Sequence, residues 1–163
     1  IGAASADPGA YGADGINAAS IGQMLQYGKP YGATAFDASY QIDYDAIGEW
    51  TVCPEGYAVP TLDQFNAAIA KVTGGTISGN GVSGNAGITL TLMNSVMKLP
   101  IGGWLTNGDT QPQAYGEAAA YWTSSKGSNT APWKVDINNS SASNTGANWA
   151  DAAWQLPVRC IKK

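Results

Sequence analysis

The sequence predicts an α+β domain, with two helices in its first half and a small twisted antiparallel sheet in its second. Three observations carry that expectation. An amphipathic stretch with a helix-start signature begins at Thr61. Short alternating or aromatic-rich runs recur between Leu99 and Lys163. Clusters of Gly, Asn, Ser and Pro separate these pieces, and no repeat of solenoid length is visible.

The totals exclude several function classes. At 163 residues the chain is long enough for one domain with a substantial core, and its 44% apolar fraction is a globular value. Charged residues make up only 12%, about half the usual share, so Asn, Ser, Thr, Gln and Gly must cover the surface. Such surfaces suit secreted, phage or pilus-type proteins. The net charge is −4 and the cations, Arg159 among them, are scattered, which argues against nucleic acid as a partner. No apolar run approaches the roughly 20 residues of a membrane span, so membrane insertion is not expected. The chain opens at Ile1 without a basic leader, so any signal peptide has been removed or lies outside this sequence. Histidine is absent, which removes the commonest general base and metal ligand. Cys53 and Cys160 are too few for a structural zinc site by themselves; one disulfide and two buried thiols both remain open.

Residues 1–50 are an N-terminal extension or the start of the domain. Over 1–30 they read either as a flexible leader or as an ordered extension. Ala18 to Tyr27 predicts a short helix with Ile21, Met24 and Leu25 on one side, stopped by Gly28 and Pro30. Phe36, Tyr40, Ile42, Tyr44 and Ile47 suggest one or two short strands. In Cys53-Pro54-Glu55-Gly56-Tyr57-Ala58-Val59-Pro60-Thr61, Pro54 and Gly56 make a turn before an extended piece. Thr61 with Gln64 then fits a capping box, and Leu62, Phe65, Ile69 and Val72 recur on one helical face, closed by Gly74-Gly75.

Residues 74–87 are almost all turn formers and predict a loop or loose hairpin. Thr89 to Lys98 predicts a second helix with Leu92, Met93 and Val96 inward, its methionines filling core. Leu99 to Leu105 reads as a strand, where Gly102-Gly103 marks a bulge or a close backbone approach. A turn follows at Asn107-Gly108-Asp109. Ala118 to Ser125 is a further strand, then Trp133 to Ile137, where Trp133, Val135 and Ile137 face one way and Lys134 and Asp136 the other. Gln155 to Lys162 closes the chain.

The order Cys-Pro-x-Gly-Tyr-x-Val-Pro-Thr plus helix, then Leu-Pro-x-x-Gly, Tyr-Trp-Thr-Ser-Ser and Val-Arg-Cys resembles the C-type lectin fold over residues 51–163. The likeness is to its bacterial and phage branch, related to formylglycine-generating enzymes and the Fibrobacter-type paralogous domain. That branch includes the variable proteins of diversity-generating retroelements. The resemblance implies a Cys53–Cys160 bridge, since in such domains the residue before the first helix lies beside the last strand. A bridge in turn implies an oxidising compartment, so the expected location is secreted, cell-surface or on a phage virion. In the retroelement family variation enters at adenines of Asn codons, which points to Asn129, Asn138, Asn139, Asn144 and Asn148.

A non-catalytic ligand-binding domain is therefore expected, presenting the segments Trp104 to Gln113 and Asn129 to Trp154. Its candidate contacts are Trp104, Asn107, Asp109, Asn129, Asn138, Asn139, Asn144, Asn148, Trp149, Asp151 and Trp154. Asn, Ser and Thr offer adaptable hydrogen bonds, while tryptophan offers rigid amphipathic area. Trp122 and Trp133 are expected in the core, with Trp149 and Trp154 as exposed anchors. The partner would be a protein or glycan on another cell or surface, bound without cofactor or metal. Three readings compete. The Asn-rich loop is ordinary turn chemistry; the protein is an adhesive tip or fibre module, oligomerising through residues 1–50; or it is a calcium-dependent lectin. The calcium reading has Gln111-Pro112-Gln113 and Trp149-Ala150-Asp151 to draw on, flanked by Asp109 and Glu117, a set poor in carboxylate.

Overall fold

Pattern and capping agree most closely in the stretch after Pro60. In the computed structural model Leu62–Thr73 is a twelve-residue helix. The Thr61 hydroxyl accepts from the Gln64 N–H at 3.2 Å, and the Gln64 side-chain oxygen accepts from the Thr61 N–H at 2.9 Å. Asp63 in the first turn and Lys71 in the last complement the helix dipole, and Gly74 ends the helix in the left-handed region. Leu62, Phe65 and Ile69 are buried as expected, and Val72 packs partly buried against the same core.

The structure describes residues 24–28, 42, 44–47, 50, 52–78, 81–83, 96–106, 109, 111–128, 131–138, 147–149 and 154–163. In chain order these form β1 (Met24–Gln26), α1 (Tyr44–Ile47), β2 (Tyr57–Ala58), α2 (Leu62–Thr73) and β3 (Thr76–Ser78). There follow β4 (Gly81–Ser83), β5 (Ala118–Ser128), β6 (Ala131–Asn138), β7 (Ala147–Trp149), β8 (Gln155–Pro157) and β9 (Ile161–Lys162). The class is α+β, with one long helix, a single helical turn and small antiparallel sheets among the described residues. Strands β5, β6 and β7 form a three-stranded sheet in that order; β1 pairs with β8, β2 with β9 and β3 with β4.

The β5–β6 pair divides two cores, because successive side chains leave a strand on opposite faces. Ala120 and Trp122 enter one core with Leu25, Tyr27, Trp50, Val52, Val59, Leu156, Val158 and Cys160. Ala119, Tyr121, Val135 and Ile137 enter the other with α2, Val82 and Leu99. Burial pushes the Tyr121 phenol well above its ordinary range, partly opposed by Arg159, and its hydroxyl donates to the Pro100 carbonyl at 2.6 Å. The β5–β6 register shifts beyond Trp122. In that irregular stretch the Ser124 N–H reaches the Pro60 carbonyl at 2.8 Å, and the Ser125 hydroxyl accepts from the Leu62 N–H at 2.9 Å. The sheet thus helps to anchor the start of α2.

Several expectations are corrected. Met24–Gln26 is a strand, not the end of a helix, because Met24 and Leu25 are buried and their backbone pairs with Pro157 and Leu156. Residues 18–23 lie outside the described set. Tyr44 and Ile47 sit on a helical turn rather than a strand, three positions apart and both against the first core. Phe36 and Tyr40 fall outside the described residues, as do 89–95 of the second expected helix. Val96, expected inward there, is 58% exposed, and Met97 packs in its place. Leu99 to Leu105 is not a continuous strand. Among the described residues it makes isolated bridges, Gly103 to Ala119, Trp104 to Gln113 and Leu105 to Gln155. The closing strand is two short ones with different partners. The turn-rich stretch after α2 does form a hairpin, β3–β4.

Gly103 is the close backbone approach expected of the Gly-Gly pair. Its φ is 66°, and a Cβ there would lie 1.8 Å from the Gln113 carbonyl oxygen. Left-handed strain and overpacking act together at one atom, so Gly103→Ala should cost about 2–5 kcal/mol. Urea titration of the two proteins measures this; equal midpoints would refute the close approach.

Candidate functional site

The Trp104–Gln113 bridge closes a loop in which Thr106, Asp109 and Gln113 bond to one another. Trp104 and Gln113 exchange backbone hydrogen bonds at 3.2 and 2.8 Å. Within the loop one carboxylate oxygen, Asp109 Oδ2, accepts from the Thr106 N–H and hydroxyl at 2.7 Å each and from the Gln113 amide at 2.9 Å. The Thr106 hydroxyl also accepts from that amide at 3.1 Å. A carboxylate that accepts this many bonds prefers to stay ionised. The Thr106 hydroxyl foremost, then the Thr106 N–H, hold the Asp109 carboxyl below its ordinary value; partial burial opposes them and Gln113 adds to them.

The sign of the consequence follows. Because the folded value is depressed, Asp109 stabilises the native state above its ordinary value of 3.8, and that contribution is lost as pH falls through the folded value. A carbon-detected NMR titration should place the Asp109 midpoint below 3.8. A midpoint at or above it would show that the loop network does not form in solution.

The second half of the site comes from the far end of the chain. Leu105 and Gln155 exchange backbone hydrogen bonds at 3.0 and 2.9 Å, which brings the residues just before them, Trp104 and Trp154, together. Their rings are stacked, centroids 6.5 Å apart and planes within 7°. Both are partly buried against the first core. Lys134 reaches the same place from β6. Its ammonium lies 5.9 Å from the Trp104 ring centroid and 5.4 Å from that of Trp154. It is also ion-paired with Asp136, two residues on along the same strand face.

Of the residues expected to bind ligand, the structure therefore joins Trp104 to Trp154 and bonds Asp109 to a loop anchored on Trp104. Trp154, expected as an exposed anchor, is half-buried and stacked. Asn138, Asn148 and Trp149 lie on strands: Asn138 pairs with Ala118, Asn148 with Lys134 and Trp149 with Trp133. Asn107, Asn129, Asn139, Asn144 and Asp151 lie outside the described residues. Trp122 is fully buried as expected, while Trp133 is only partly so. Sequence reasoning missed Lys134 and Asp136 as partners of the site; Thr106 and Gln113 fell inside the segment expected at the surface, with no sign that they would bond Asp109. The strand alternation did put Lys134 and Asp136 on one face; nothing local said that two tryptophans would cover it.

In the first core Cys53 and Cys160 form a disulfide, with their Cα atoms 5.8 Å apart. The adjoining β2–β9 ladder and a bond from the Lys163 N–H to the Gly56 carbonyl at 2.9 Å hold the last residues to the turn after Cys53. Among the described residues no three His, Cys, Asp or Glu side chains cluster as a metal site, and no helix is long and apolar enough to cross a membrane. No protein-family model, curated protein or solved structure matches the chain.

Proposed function

We propose that this protein is a non-catalytic recognition domain of C-type-lectin-like character, binding a protein or glycan on another surface through the face around Trp104 and Trp154. The observation that supports it most is the stacking of two half-buried tryptophans from distant segments, beside the hydrogen-bonded polar side chains of Thr106, Asp109 and Gln113. Rigid aromatic area next to fixed polar groups loses little conformational entropy on binding, which is what recognition surfaces exploit. The disulfide fits a secreted or surface location. Kinship with retroelement-diversified proteins remains part of this reading, resting on the sequence motifs alone.

An array of glycans and cell-surface proteins tests the reading. A partner should bind the wild type and lose at least about tenfold in affinity on Trp154→Ala or Trp104→Ala, the range of an aromatic hot spot. A partner indifferent to both changes would refute this surface. Binding abolished by a chelator would instead favour the calcium-dependent lectin. For the retroelement kinship, the neighbouring DNA should hold a reverse transcriptase and a template copy of the 3′ end of the coding region.

A further inference from the structure

Lys134 stands where the two loops of the proposed recognition surface meet. It is only 5% exposed, an unusual place for a lysine. On β6 it lies between Trp122 of β5 and Asn148 of β7 in register. Its ammonium is held by Asp136 and faces the rings of Trp104 and Trp154. The Leu105–Gln155 backbone pair brings those two segments side by side but does not fix how the rings turn. A cation does, because its attraction to an aromatic ring is strong over the face and weak at the edge. One ammonium near both faces favours a single orientation of each ring.

We propose that Lys134, braced by Asp136, is the positioning residue of the recognition surface: it holds Trp104 and Trp154 parallel and ties together the loops that carry them. The proposal rests on the reading of that surface as a binding site, but its physical core does not. A purely space-filling lysine would be replaceable by an apolar side chain of similar length. A buried charge is costly unless paired, so the ion pair is expected to be retained for the geometry it enforces rather than for stability.

The test removes both charges together, Lys134→Met with Asp136→Leu, so that neither is left buried alone. Indole N–H resonances of Trp104 and Trp154 should shift or broaden in this double variant while that of Trp122 holds. Lys134→Arg, which keeps the cation, should leave all three near their wild-type positions. For any array partner of the wild type, the double variant should bind about tenfold more weakly and Lys134→Arg within about threefold. Unmoved Trp104 and Trp154 resonances, or undiminished binding, would overturn the proposal. If the wild type binds no partner the proposed function fails, yet the resonances still decide whether Lys134 positions the rings. Should the double variant not fold, Lys134→Gln with Asp136→Asn takes its place: it removes both charges at nearly constant shape, and the same two resonances must move.

Discussion

Replacing both cysteines by serine is expected to cost the native state about 4–5 kcal/mol, from the entropy the unfolded chain regains when a loop of this size is opened. The bond joins positions 107 apart, so it restrains most of the unfolded chain. In the folded state the β2–β9 ladder, Val158 packing and the Lys163–Gly56 bond still hold the two segments together without it. The loss should therefore come from the unfolded side. Urea unfolding with and without reductant separates the sources: the midpoint falls and the denaturant slope rises as the unfolded chain expands. An unchanged midpoint would mean that the bond contributes little in solution.

Trp122→Ala should be comparably severe, about 3–5 kcal/mol for the cavity alone. Trp122 is fully buried, stands edge-on to Tyr27 with centroids 5.4 Å apart, and donates its indole N–H to the Leu25 carbonyl at 2.6 Å. That bond ties β5 to β1 across the first core. Trp122→Phe keeps an aromatic ring in the core and removes the indole donor, losing one buried hydrogen bond worth about 0.5–1.5 kcal/mol while the Leu25 carbonyl stays in the β1–β8 ladder. Thermal unfolding of the pair should rank wild type above Trp122→Phe above Trp122→Ala. A Phe variant as stable as wild type would show that the indole bond adds nothing.

The legible parts of the fold are those whose reasons are local. The helix α2 announces itself through Thr61, Gln64 and an apolar stripe that need no knowledge of the rest of the chain. Strands β5 and β6 show in their alternation, although Ala120 and Trp122 had to be read as one covered face and Ala119 and Tyr121 as another. Strand β1 was illegible because both its sides are covered. Met24, Leu25 and Tyr27 are all buried, which leaves no period-two signature, and the strand's partner lies at the other end of the sequence. The site followed the same division. Trp104, Asp109 and Trp154 were chosen for their chemistry and are brought to one place, yet Lys134 reads in sequence as the solvent side of a strand. Its burial is decided by rings supplied from thirty residues before and twenty after, at Trp104 and Trp154. The disulfide was implied by family likeness; spacing alone left the two thiols open.

The pairing of β1 with β8 and of β2 with β9 sets the order in which the protein can come into being. Neither early strand finds its partner until residues 155–162 have been synthesised. Loop closure over such spans is entropically unfavourable until native contacts compensate, so folding is expected to be slow and to wait for residues 155–162. Until then Leu25 and Val59 wait without their cover, and an oxidising catalyst arriving early finds Cys53 alone. Docking of residues 155–162 is thus the step that gives both early strands and Cys53 their partners.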